Sequence, residues 1–386
     1  MRCLFVVLLV LSLAACGGPP ALQSDPAAGL RKGTLVSPTG APMSLFTFEQ
    51  DAQEAAYILL GEAHTNACDH RVQADVLQAL AREGHTIALG LEMVPAAKQA
   101  VLDRFNAGEI AVQDVPTALQ WESIWGHSFS LYRPIFQIAA AEDIPVYALN
   151  IEQSLLDSVR DTGMQGLAPK QRQRLPQPIL EPPQEQLDSL EQEFAGHEQM
   201  FAHAGNATNA SLERFIRVQS IWDTQMAARA RSVRANTGRT VVVLTGSGHV
   251  EYGWGIASRL RQWEPQAEVL GLLPWRGGVL PDPSAADAFF YCPLRHTSRL
   301  GFTMEMRPAG AEVVAVESGS RAAQGGLQVG DVLTRVEGEP FTGLWDLHQG
   351  AMQALQASRP MRVGVERNGN EREVAIGLAQ PGGKNP

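Results

Sequence analysis

The chain has 386 residues, of which 45% are hydrophobic and 19% charged, and a formal net charge of −10 at neutral pH. That length accommodates two domains with separate cores, and the composition is that of ordinary globular protein. The negative balance excludes non-specific nucleic-acid binding and gives little attraction to anionic lipid.

At the N-terminus Arg2 precedes an apolar run from Leu4 to Leu13, too short to span a bilayer as a stable helix. The run ends in Leu13-Ala14-Ala15-Cys16. This pattern predicts a lipoprotein signal peptide over 1–16, with the Cys16 thiol as the acylation site. Gly17-Gly18-Pro19-Pro20 opens a flexible tether over 17–30. No aspartate follows Cys16, so the expected place is the cell envelope, in the outer membrane facing the periplasm. Processing would leave Cys68 and Cys292, which either pair in an oxidising compartment or stay as buried thiols.

Five short apolar runs follow: 56–60, 86–91, 144–149, 240–245 and 267–272. Uninterrupted runs of this kind predict strands buried on both faces. Between the first two, His70 to Glu83 carries Val72, Val76, Leu77 and Leu80 on one helical face. Strands alternating with helices predict an α/β domain over 31–280 with a mainly parallel sheet. The polar stretch of about 152–236 breaks the alternation with a proline cluster at Pro176–Pro183. Phe215, Val218, Ile221, Trp222 and Met226 recur at helical spacing within it. It reads as a helical insertion capping the sheet. A boundary follows near Pro281–Pro293.

From about 294 to 380 the pattern turns to short β segments, at 311–316, 332–336, 361–365 and 372–377, with a turn at Asn368-Gly369. Arg299-Leu300-Gly301-Phe302 looks like the carboxylate-binding loop of a PDZ domain. Ser320 to Leu333, with Gly330-Asp331 as the tight turn, looks like the short helix, turn and strand shared by that fold. The resemblance implies a small β-sandwich or barrel. It would bind a protein C-terminus or extended peptide by strand addition, with residues 345–355 lining the groove.

Ligands of open parallel sheets gather beyond the carboxyl ends of the strands. Here those ends are polar. The first runs into Gly61-Glu62-Ala63-His64 and His70, and the second into Glu92. The third runs into Asn150 and Glu152, and the fourth into Gly246-Ser247-Gly248-His249. A glycine at such a turn lets the backbone approach a ligand closely. If the strands are neighbours, Glu62, His64, Glu92 and His249 converge in one crevice. Imidazoles with carboxylates suit three chemistries: a divalent metal in hydrolysis, held by His64, His249 and Glu62; metal-free acid/base catalysis; or the propionates or iron of a haem.

The segments Leu60-Gly61-Glu62-Ala63-His64 with Gln73, Leu89-Gly90-Leu91-Glu92-Met93 with Gln99, Trp121 with Trp125, Tyr132-Arg133-Pro134, Ala148-Leu149-Asn150 and Gly246-Ser247-Gly248-His249-Val250 resemble the ChaN-like family of haem-binding lipoproteins. The resemblance covers about 31–273. The wider superfamily includes erythromycin-esterase-like and TraB-type proteins, some of them hydrolases and some metal-dependent. It implies haem binding in iron uptake, a tyrosine ligand to iron and a possible homodimer enclosing the haem. Of five tyrosines, Tyr57 and Tyr147 lie in strands and Tyr291 in the expected linker, leaving Tyr252 and Tyr132. Tyr252, beside Gly253 and Trp254, is preferred. As a hydrolase, the chain would use Glu62 or Glu92 as base, with His64 and His249 as proton carriers or metal ligands.

Overall fold

A computed structural model describes residues 26–27, 29–200, 209–307 and 310–378. The expected signal peptide with Cys16, and most of the tether, lie outside the described residues. No helix among the described residues is long and apolar enough to cross a membrane.

The first sheet is built from β1 (Leu35–Val36), β2 (Pro42–Met43), β3 (Tyr57–Glu62), β4 (Ile87–Pro95), β5 (Val146–Asn150), β6 (Thr240–Gly246), β7 (Val269–Trp275) and β8 (Ala288–Tyr291). Their order is β2-β1-β8-β7-β3-β6-β4-β5. The six strands from β8 to β5 run parallel, and β1 and β2 add an antiparallel edge. Side chains alternate across β3, so Ile58 and Leu60 enter one core while Tyr57 and Leu59 enter the other. The first core is closed by helices Ala67–Arg82 and Phe129–Ala141, the second by Asn209–Thr237 and Ile256–Trp263. Full burial of one such aliphatic side chain stabilises the fold by about 1.5–3 kcal/mol, which is why the runs carry no polar interruption.

The chain leaves β3 for β4 and β5, then returns to place β6 between β3 and β4. This reversal opens a crevice beyond the carboxyl ends of β3, β6 and β4. The insertion folds as helices Gln153–Gly166, Pro169–Arg172, Gln184–Met200 and the long Asn209–Thr237. Leu155, Leu156, Val159, Val218 and Ile221 give it a small core of its own.

The sheet continues past residue 280. Phe289, Phe290 and Tyr291 are buried in β8, which pairs with β7 and β1. Tyr291, placed in a linker by the sequence, is therefore a core residue. Four residues flanked by prolines are too few to show a periodicity. Cys68 and Cys292 are joined in a disulfide, with 5.8 Å between their Cα atoms, well inside the usual range. The sequence left this pairing open because the residues lie 224 positions apart.

The C-terminal unit is a separate antiparallel sheet around Phe302, Met304, Val313, Leu333, Val363 and Val365. Asn368 and Gly369 both take positive φ, 52° and 75°. They form the tight turn joining Met361–Arg367 to Asn370–Ile376. Asp331, fully buried in the turn before Val332–Val336, accepts from both Nε and Nη2 of Arg367 at 2.5 and 2.6 Å.

Candidate functional site

The end of β3 delivers Glu62 into the crevice, where its side chain is fully buried. Four neighbours satisfy it. Tyr132 Oη donates to Oε1 at 2.5 Å and His64 Nδ1 donates to the same oxygen at 2.9 Å. Gln73 Nε2 donates to Oε2 at 2.9 Å, and His70 Nδ1 lies 3.3 Å from it. Burial alone would raise the pKa of Glu62, but the hydrogen bonds from His64, His70 and Tyr132 and the His70 charge hold it down to about 2. Glu62 is thus an anion that only accepts, which fixes His64 with its proton on Nδ1. The opposite nitrogen, Nε2, turns toward Gly246. A Cβ at Gly246 would stand 3.2 Å from that nitrogen and 3.0 Å from Cε1, so the glycine is what lets the two strand ends close on one another. His64 also meets Trp125 edge-on at 4.8 Å.

The second half of the crevice comes from β4, β6 and the cap. Glu92 Oε2 accepts from Thr245 Oγ1 at 2.7 Å and from the Gly246 amide at 2.6 Å. Its Oε1 lies 3.7 Å from His249 Nε2. His249 Nδ1 donates to Asp223 Oδ1 at 2.6 Å. Asp223 belongs to the cap helix Asn209–Thr237 and is steadied by Gln186 and the buried Arg259. Burial would lower the pKa of His249, but the Asp223 and Glu92 charges and the Asp223 hydrogen bond outweigh it and raise the value to about 9. His249 is therefore a cation at neutral pH. Burial opposes charge on His64 as well, and the Glu62 hydrogen bond with the Glu92 charge still raises its pKa.

Glu62, His64, Glu92 and His249 are brought together, as the polar strand ends require. Asn150 and Glu152 serve elsewhere: Asn150 Oδ1 accepts from the amide of Ile151, and Glu152 pairs with Arg174 in the cap. Gln99 bonds the backbone of β5 through Ala148 N, at 2.8 Å. Sequence reasoning missed Asp223, which sits in a polar helix and becomes a site residue only through the fold. Its spacing one residue after Trp222 carried no signal of that role. Among the described residues, no group of three or more His, Cys, Asp or Glu side chains is arranged to hold a metal ion.

The tyrosines separate. Tyr132 has no exposed surface and its hydroxyl is committed to Glu62. Burial, followed by the Glu62 charge and hydrogen bond, drives its pKa far up. Tyr252 is 37% exposed and stacks on Trp254, with 4.3 Å between centroids and 20° between planes. Its backbone holds a left-handed φ of 56°, uncommon for a bulky residue. A cavity of about 190 Å³ beside it is lined in part by Val250, Ala257, Arg261 and Ala285.

A family model described as haem-binding uptake, Tiki superfamily, ChaN matches residues 48–260, and a PDZ model matches 298–378. Among solved structures, the chain resembles ChaN of Campylobacter jejuni, determined with cofacially bound haem. The match has a TM-score of 0.53 at 19% identity and covers 66% of this chain and 95% of that one. A likeness to an erythromycin esterase variant has a TM-score of 0.38 at 13% identity, over 71% of this chain and 80% of that one. A probable periplasmic DegP-like serine endoprotease of Pseudomonas fluorescens is 37% identical over 70 residues. Those residues are 18% of this chain and 14% of that protein, so the chain spans about a seventh of the relative's length.

Proposed function

The chain belongs to the ChaN family of haem-binding uptake proteins in the Tiki superfamily, and from that premise we propose that it is a lipid-anchored envelope protein that binds haem for iron uptake. The observation that carries the reading to particular residues is Tyr252. It is exposed, held in a sparsely populated backbone conformation, and stacked face-on against Trp254. Strained backbone at an exposed aromatic is a motive for a binding role. The phenol oxygen is a donor that haem iron accepts, as in catalase-type ligation. Trp254 adds a flat apolar surface, and Arg261 lies at the adjoining cavity, where a propionate needs a cation. Burial and then the Asp282 and Glu251 charges raise the Tyr252 pKa, so iron must displace its proton. Haem, as cargo, would supply the iron and its chemistry. The protein's part is to offer Tyr252, cover the ring and pair the carboxylates. A second copy closing over this exposed face would complete the enclosure.

Tyr132 does not suit ligation, because it is buried and its hydroxyl holds Glu62. His64 and His249 line the crevice and offer nitrogen donors. The signal pattern at Cys16 supports the anchor, and the outer membrane facing the periplasm is the proposed location. The C-terminal PDZ domain adds a module for a protein C-terminus. Haemin titration of the mature chain, without its anchor, tests the reading. A saturable Soret shift with a ferric high-spin spectrum is expected. No specific binding overturns it.

One arrangement favours a second reading, acid/base hydrolysis. Glu62 orients His64 while Glu92 and the cationic His249 face it across Gly246, which supplies a base and an acid in one crevice. Screening ester and peptide substrates with wild type and His64→Ala tests it, with bound-metal analysis alongside. Turnover lost in the variant supports hydrolysis, and no turnover by wild type removes it.

A further inference from the structure

The peptide-accepting edge of the C-terminal domain is already filled by the chain itself. Strand Phe302–Arg307 pairs on one side with Gly310–Val316. On its other side it pairs antiparallel with Arg295–Ser298. The register sets Ser298 opposite Phe302, Thr297 opposite Thr303, His296 opposite Met304 and Arg295 opposite Glu305. Pairing continues one residue further, with Met306 N donating to Leu294 O at 2.8 Å. An added peptide would pair with this strand through the same main-chain groups, its last residue at the loop Arg299–Gly301.

The loop is satisfied in the same internal way. The Leu300 amide donates to Ser298 Oγ at 3.2 Å and the Gly301 amide to Ser298 O at 3.0 Å. These are donors that a terminal carboxylate would need. Gly301 takes φ +84°, and a Cβ there would stand 2.2 Å from that of Ser320, so the loop shape is fixed by glycine. Side chains hold the segment as well. Thr297 and Thr303 share a hydroxyl hydrogen bond at 3.0 Å. Glu305, 2% exposed, meets Arg295 Nε at 3.5 Å and Lys32 Nζ at 2.6 Å.

We propose that Leu294–Ser298 is an internal ligand of the PDZ domain, and that a partner's C-terminus binds only by displacing it. The proposal rests on the reading of this domain as peptide-binding and assigns its regulation. The segment begins two residues after Cys292, which the disulfide fixes to Cys68, and Pro293 O accepts from Asn66 Nδ2 at 3.3 Å. A strand tethered so closely stays at high effective concentration when it detaches. Apparent affinity for a peptide falls by the fraction of time the edge is free.

The test uses the full mature chain, with fluorescein-labelled heptapeptides bearing a free C-terminal Val, Leu or Phe and their amidated forms as controls. In antiparallel pairing alternate residues exchange ladder bonds, so His296 shares the bonded class of Leu294. His296→Pro removes that donor and opens the edge. Thr297→Cys with Thr303→Cys joins the facing pair and locks it. We expect the open variant to bind a free-carboxylate peptide at least about tenfold more tightly than wild type, and the locked variant to bind none. Amide exchange should show Phe302–Arg307 protected in wild type without peptide and less protected in His296→Pro. Equal affinity in all three proteins, or no protection in wild type, overturns internal occupancy. No binding by any of them, with the edge shown open by exchange, overturns the peptide-binding reading and the proposal with it.

Discussion

The Tyr132 hydroxyl donates to Glu62 Oε1 at 2.5 Å, and both side chains are withdrawn from solvent. The bond ties a helix on one face of the sheet to the end of β3 and helps keep Glu62 ionised. Removing one donor from a buried carboxylate costs about 1–3 kcal/mol. Tyr132→Phe should therefore lower stability by about that amount in urea titration, with the m-value unchanged. It should leave haem binding within about threefold of wild type, or about 0.7 kcal/mol. A Soret titration showing a larger loss would return Tyr132 to the list of ligands.

The depressed pKa of Glu62 makes a pH prediction with a definite sign. Its value in the folded chain is about 2, against 4.5 for the free side chain. The group's contribution to stability is present above pH 4.5 and is lost as pH falls toward 2. Melting temperature should drop through that window in wild type. In Glu62→Gln the slope should be shallower, although the variant starts from a lower stability. Parallel slopes in the two proteins would contradict the assignment.

His249 predicts the opposite slope. Its folded pKa of about 9 exceeds the ordinary 6.5, so its contribution is complete below 6.5 and fades as pH rises through 9. Asp223→Asn removes the largest favourable charge. The imidazole resonance of His249, followed by NMR, should then titrate at lower pH than in wild type. An unchanged midpoint would show that Asp223 does not hold the proton.

Tyr252→Phe keeps the stacking ring and removes the oxygen donor. Haemin affinity should fall by about tenfold or more, or about 1.4 kcal/mol, and the high-spin ferric spectrum should be lost. Trp254→Ala should weaken affinity while leaving the spectrum type intact. A Tyr252→Phe protein with the wild-type spectrum would move ligation to another residue.

The Cys68–Cys292 bond closes most of the α/β domain into one loop. In the chain-entropy view, removing a native bridge costs about 2–5 kcal/mol. Cys292→Ser should show that loss in denaturant titration, and dithiothreitol should reproduce it in wild type. A variant as stable as wild type would mean that the bond adds nothing to the fold.

The layers of the α/β domain are legible in the amino-acid pattern, because a strand buried on both faces admits no polar residue. The runs at 56–60, 86–91, 144–149, 240–245 and 267–272 all became neighbouring strands. The pattern also pointed to Glu62, His64, Glu92 and His249 as polar residues at or just beyond the ends of the apolar runs, since their motifs are local. The remaining relationships arise from long-range closure of the chain. Asp223 reaches His249 across 26 residues, and Cys68 reaches Cys292 across 224. Tyr132 is buried while Tyr252 is exposed, a difference the sequence, which preferred Tyr252 on its neighbours alone, could not give. Residues 295–298 were not among the β segments legible in the sequence, yet they form a strand paired with Phe302–Glu305. Local pattern records what a residue prefers to be surrounded by, whereas the identity of a distant partner is set only when the chain closes on itself.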